Sequence, residues 1–444
     1  YTLLMRSIGA VIVFLIAALA MSACDILSNS GDAEVAPEPT ATVDQAIVAS
    51  AAPNVPNITL PVTPTQETGT IRVWMPPEIT ERTEIGVTTL SDQISAFNLD
   101  NPEVVVVVEP KRARGSGGIV DYLRSGRDVA PSVLPDLVAV PTDLLPTMAT
   151  ENLILTLDDR LEDDALDSLF PPALSLGRPE SSVLGYPFAL GTLPHLTYNN
   201  NVLTGTLPLT WELLIENDEH SYIFAADGTD GALLALQFYL EAGGQLVDES
   251  GQTTLEVDPL IEALQYIQDV QEQGFFAPQS GTTTTTDQAW QIFLSGGGNI
   301  MQTTADHFIG QIVDGLPIAY TIIPGIDRPL TPLVDGWAWA ITTTDPVKQA
   351  QAISLIEVLT SPANLASWSH DSNILPARRD ALDAWPDQDH YVGFVRQELE
   401  RAEPLTVSSS SKLLTVLGDA VFQIVSGGKT AQQAAVDAVN AMKG

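Results

Sequence analysis

Residues 101–110 read NPEVVVVVEP. Asn101 and Pro102 break the preceding element, and five β-branched valines then favour an extended chain. An uninterrupted apolar run of this kind predicts a strand buried on both faces, as in a parallel sheet. Before it, TIRVWM (Thr70 to Met75) alternates apolar with polar and ends at Pro76 and Pro77. Apolar spacing between these strands predicts a helix near Thr89 to Phe97. Downstream, a helix over about Ile119 to Ser125 leads to PDLVAV (residues 135–140), a third buried strand. Strand, helix, strand, helix, strand is the pattern of an α/β fold with a parallel sheet. Such sheets bind ligands beyond the carboxyl ends of their strands. The loops Trp74 to Glu78 and Pro141 to Leu145 therefore merit attention.

The body that starts near Gly69 holds about 375 residues, more than one ordinary core accommodates. A formal charge of −37 argues against nucleic-acid partners and against attraction to anionic lipids. Catalytic signatures are weak. RGSGG (Arg114 to Gly118) opens a helix but lacks the lysine and spacing of a P-loop, and reads as a solvent loop. DDRLEDD (Asp158 to Asp164) lacks the alternation and glycine of a calcium loop. No His/Cys cluster has metal-ligand spacing, no nucleophile elbow appears, and no cofactor is expected. Carboxylates are abundant, so residue types alone leave a glycoside hydrolase open.

The single cysteine, Cys24, follows an apolar run of about 14 residues, Ile8 to Met21, behind Arg6. That run is short for a membrane span, about 20 residues, and suits an export signal. With Ser22 and Ala23 before it, Cys24 resembles the acceptor of a bacterial lipobox, although Met21 stands where Leu is usual. A cleaved secretory signal or an uncleaved anchor helix are the competing readings. Met5 is taken as the start, with Tyr1 to Leu4 outside the native product. Residues 25–68, rich in Pro, Thr and Ala, cannot bury enough surface to offset their ordering entropy and read as a tether. Two acyl chains at Cys24 would anchor the protein to the outer face of the cell membrane.

Further along, weak signals occur in a telling order: PDLVAVPTDLLPTMATENLILTLDD (135–159), GYPFALGTLPHLTYNNNVL (185–203), LPLTWELLIE (207–216) and FYLEAGGQLVD (238–248). They continue with IFLSGGGNIMQTTADHF (292–308), AYTIIPG (319–325), the segment 335–368 and VSGGKTAQQAAVDAVNAM (425–442). Together they resemble the extracellular solute-binding proteins of ABC importers, the group that includes the maltose-binding proteins. The resemblance implies a type II periplasmic-binding fold: two α/β lobes joined by hinge strands, with the ligand gripped between them. Lobe I would comprise residues 69–188 and 325–375, and lobe II residues 189–324 and 376–444. It also implies a monomeric, non-enzymatic carrier that takes a sugar or oligosaccharide to the transmembrane subunits of a permease.

Ligand contacts are expected from residues at the lobe junction. Trp337, in DGWAWAI, leads because a flat ring suits the C–H face of a sugar, and Gly336 brings the backbone close. Trp74, at the carboxyl edge of its strand, is a second aromatic candidate, though core packing is the competing role. Thr142 and Asp143 follow the third strand, where relatives place a sugar-binding carboxylate. Thr192 and His195 lie just past the first crossing. Asp227 precedes a helix that Asp230 is expected to cap. His307 and Phe308 fall where relatives often carry a ring-stacking Trp. Ser408 to Leu414 precedes a helix that supplies cleft contacts in some relatives.

Overall fold

The computed structural model describes residues 69–161, 164–217, 219–248, 252–312, 315–386, 391–408 and 411–443. Cys24, the apolar run before it and the tether lie outside the described residues. In chain order the strands are β1 (Gly69–Met75), β2 (Val104–Pro110), β3 (Leu137–Pro141) and β4 (Tyr186–Thr192). There follow β5 (Pro194–Asn199), β6 (Tyr222–Ile223), β7 (Ile300–Thr304) and β8 (Ile318–Thr321). The last are β9 (Leu333–Ile341), β10 (Leu375–Pro376) and β11 (Glu403–Pro404).

Two sheets divide these strands. The first runs β10-β4-β9-β3-β1-β2, with β11 alongside β9, and the second runs β6-β7-β5-β8. Strands β1, β2 and β3 are parallel, as the alternation of strand and helix predicts. Antiparallel β9, β4 and β10 then extend the sheet into a mixed one. The helix Glu84–Asp100 covers one face, its start held by Thr83, whose hydroxyl accepts from Gly86 N at 2.9 Å.

The expectation for 101–110 needs correction. β2 is an edge strand with only one face covered: Val104 and Val106 are buried, while Val105, Val107 and Val108 are 42, 39 and 39% exposed. The helix Ile119–Gly126 packs Ile119 and Leu123 against Trp74, Val138 and Val140 rather than under β2. β3 is covered on both faces, as is its neighbour β9: Leu137 and Ala139 enter one core, Val138 and Val140 the other.

The chain leaves the first sheet at the end of β4 and starts the second at Pro194. Thr192, the last residue of β4, and Leu193 after it have φ of +62° and +52°, the left-handed region that costs non-glycine residues about 1–2 kcal/mol. A large core binds the second sheet to the helices Thr229–Glu241, Val257–Glu272, Lys412–Val425 and Ala431–Lys443. The sheet's other face packs on Trp290, Phe293 and Phe308.

The stretch from 376 was expected in the second lobe, yet its first part stays with the first sheet. Ala381, Leu382, Val395 and Leu399 are buried in that sheet's core, and β11 pairs with β9. Only from Leu405 does the chain join the second core. The helix Tyr391–Arg401 touches both bodies: Val395 and Leu399 face the first core, while Tyr391 also packs on the cluster behind the second sheet.

Candidate ligand cavity at the carboxyl edge of the first sheet

Three loops leave the carboxyl ends of β1, β2 and β3 and present Glu78, Arg114 and Asp143 to one cavity of about 280 Å³. Asp335, Gly336 and Trp337 of β9 form its floor. Val407 and Ser408, on the segment leading into the helix Lys412–Val425, close another side. This is the edge at which such sheets place ligands.

Each lining group is held from its own strand. The Pro141-Thr142-Asp143 turn carries Asp143 past β3, and the Arg114 guanidinium donates to its carboxylate. Arg114 sits in a loop closed by Gly118 N to Gly115 O and Ile119 N to Arg112 O, both 2.9 Å, with Gly115 at φ +78°. Trp337 lies between Pro141 of β3 and Ala189 of β4, half-buried, with part of its ring on the first core. Gly336 permits this closeness, since a Cβ there would stand 2.9 Å from Ala189 O. Asp335 faces Gly191 across the β4–β9 ladder, and Thr192 Oγ1 donates to Asp335 Oδ1 at 2.7 Å. Burial pushes the Asp335 carboxyl up to about 6, the Thr192 hydroxyl opposes this, and the charges of Asp306 and Asp143 add to it.

Of the expected residues, then, Asp143, Gly336 and Trp337 meet in one cavity. Thr142 is buried and does not line it, and Thr192 stands behind Asp335. The others are elsewhere. Trp74 is 3% exposed, donates Nε1–H to Glu109 Oε2 at 3.0 Å and meets Tyr122 edge-on, so it is core. His195 is fully buried: Nδ1 meets Leu193 O at 3.1 Å, and the rings of Phe308, Tyr391 and Phe394 surround it at 5.3–5.7 Å. Burial lowers its pKa to about 4, so it is a neutral packing residue. His307 is spent on Thr303 Oγ1 (2.9 Å) and Asp287 Oδ1 (3.1 Å), and Phe308 is fully buried. Asp227 lines a different cavity, of about 380 Å³, beside the helices Lys412–Val425 and Ala431–Lys443. Asp230 does not cap by its side chain: it stands in the first turn and accepts from Thr286 Oγ1 and Ala225 N.

Sequence reasoning missed Arg114 and Asp335. Arg114 opens the glycine-rich stretch read as a solvent loop, and Asp335 sits one residue before the expected Gly336-Trp337 pair. Glu78 fell inside a loop already marked by the strand-end rule. Among the described residues no group of three or more His, Cys, Asp or Glu is arranged to hold a metal ion.

Two α/β sheets joined by crossing strands, with a polar, aromatic-floored cavity at the crossing, define a two-lobe solute-binding protein. The chain belongs to the bacterial extracellular solute-binding proteins, whose family model matches residues 92–391. These are binding proteins, not enzymes, and they work outside the cytoplasm. Among curated proteins no sequence matches. Solved structures share the fold. The sugar-binding protein MalE of Xanthomonas citri has a TM-score of 0.66 at 17% identity over 84% of this chain and 95% of that one. A family 1 extracellular solute-binding protein of Bifidobacterium longum subsp. infantis has 0.66 at 16%, over 85% and 99%. MalE of Listeria monocytogenes in complex with maltose has 0.64 at 16%, over 85% and 97%.

Proposed function

We propose that this protein captures a carbohydrate at the junction of its lobes and delivers it to the permease of an ABC importer. The observation that carries this reading is the convergence of half-buried Trp337 with Asp143 and Asp335 in one cavity. A ring offers an apolar face to sugar C–H groups, and the carboxylates accept from hydroxyls. The structural neighbours named for maltose support it. At about 280 Å³ the cavity is at the small end of ligand sites, about 300–1,000 Å³, which suits a mono- or disaccharide unit. The site residues in this reading are Asp143, Asp335, Gly336 and Trp337, with Arg114 and Glu78 at the rim. Closure of the lobes around the sugar supplies the shape that a permease distinguishes from the empty carrier.

The same reading makes Cys24 a diacylated anchor and residues 25–68 the leash between membrane and monomeric body. A thermal-shift panel of sugars, polyols and oligosaccharides tests the capture step. Stabilisation near RT ln(1 + [L]/Kd) without product release is expected. A panel in which no carbohydrate moves the transition overturns it. Cys24→Ser, followed by membrane fractionation, tests the anchor: the variant should leave the membrane fraction.

A further inference from the structure

The cavity is unbalanced in charge. Glu78, Asp143 and Asp335 line it against one guanidinium, Arg114, which is already committed to Asp143. Two flanking cations are occupied elsewhere, and Arg112, exposed on the loop before Arg114, does not line the cavity. Lys111 lies over the rings of Trp74 and Tyr122 at 5.3 and 5.1 Å, and Arg82 pairs with Asp306 at 3.8 Å while donating to Ser372 O and Asn373 O. Among the described residues no lysine, arginine or histidine pairs with Asp335.

Asp335 is nevertheless held in place. A Cβ on Gly191 would approach its Oδ1 to 2.7 Å, so the bare α-carbon opposite leaves the room the carboxylate occupies. The Thr192 hydroxyl fixes the same oxygen at 2.7 Å, from a residue whose backbone is turned into the left-handed region. A carboxylate positioned by a glycine gap and a strained threonine, and left without a cation, is a receptor for positive charge. A neutral sugar closing over it would satisfy its oxygens with hydroxyl bonds but bring no opposite charge to offset the lost water. An ammonium group would supply the missing charge and form a charge-assisted hydrogen bond. A uronate would add a like charge.

We infer that the cleft selects a carbohydrate bearing a free amine, with Asp335 as the residue that determines the preference and Trp337 as the platform for the ring. This rests on the carbohydrate reading and names the ligand class within it.

Calorimetric titration of the full chain at pH 7.5 with length-matched ligands provides the test: glucosamine disaccharide, its N-acetylated form, the neutral glucose disaccharide and a uronate counterpart. The free-amine sugar should bind about tenfold or more tightly than the neutral one, a difference of about 1.4 kcal/mol, with the uronate weakest. Asp335→Asn should bring the ratio of amine to neutral affinity near one. The wild-type ranking needs no variant, so the inference stays falsifiable even where Asp335→Asn fails to fold. Neutral or uronate sugars binding as well as the amine overturn the inference and leave the carbohydrate reading standing. An amine preference that survives Asp335→Asn overturns the role of Asp335. Failure of all four sugars to bind overturns both.

Discussion

Asp230 is a buried charge whose removal has a calculable signature. Its carboxylate is 1% exposed and accepts from Thr286 Oγ1 at 3.0 Å and Ala225 N at 3.4 Å. Burial raises its pKa from 3.8 to about 7, with Asp306 adding to the effect. The folded state therefore prefers the protonated form. The stability this gives is fully present below about pH 3.8, declines as pH rises, and is gone above about pH 7. The gap of about three units, at about 1.4 kcal/mol each, is worth about 4 kcal/mol across that window. Asp230→Asn keeps an acceptor for Thr286 and removes the charge. Its stability relative to wild type should therefore grow by about 2–3 kcal/mol between pH 5 and pH 8. Urea unfolding of both proteins at several pH values, followed by tryptophan fluorescence, reads this difference. Parallel stability profiles for the two proteins would refute the burial argument.

The remaining predictions are briefer. His195 has a folded pKa of about 4 against 6.5, so the unfolded chain takes the proton first. Stability should fall by about 3 kcal/mol as pH drops from 6.5 to 4, and His195→Gln should flatten that part of the acid limb in calorimetry. Trp337→Ala should weaken sugar binding at least about tenfold while circular dichroism stays unchanged; undiminished affinity removes Trp337 from the site. Gly336→Ala should cost about 1–3 kcal/mol by overpacking, because its methyl meets Ala189 O at 2.9 Å and Leu190 Cδ2 at 3.2 Å; an unchanged melting temperature contradicts this.

What was legible in the sequence followed from local rules. β1 declares itself by alternation, the helix after it by apolar spacing and β3 by its apolar run, and the strand-end rule pointed to the loops holding Glu78 and Asp143. The Gly336-Trp337 pair was visible because a flat ring suits a sugar face and a glycine beside it lets the backbone come close. The valine run was less informative: the same five residues serve a half-open edge as readily as a covered centre, and only the strand order decides. His195, Trp74 and Phe308 were misplaced for a related reason. Aromatic and imidazole rings are as useful in a core as in a cleft, and their burial depends on distant neighbours such as Tyr391. Asp335 was hidden because its importance lies in what stands opposite, Gly191, and in the cations that are elsewhere.

The helix Tyr391–Arg401 carries a mechanical implication. Its Val395 and Leu399 are seated in one body, while Tyr391 and Phe394 meet His195, Phe308 and Tyr320 of the other with ring centroids 4.8–5.7 Å apart. Interlocked rings at these spacings tolerate tilting better than sliding or parting. In the lobe movement of the proposed capture this helix would serve as the fulcrum, with travel greatest far from the aromatic block and least beside it.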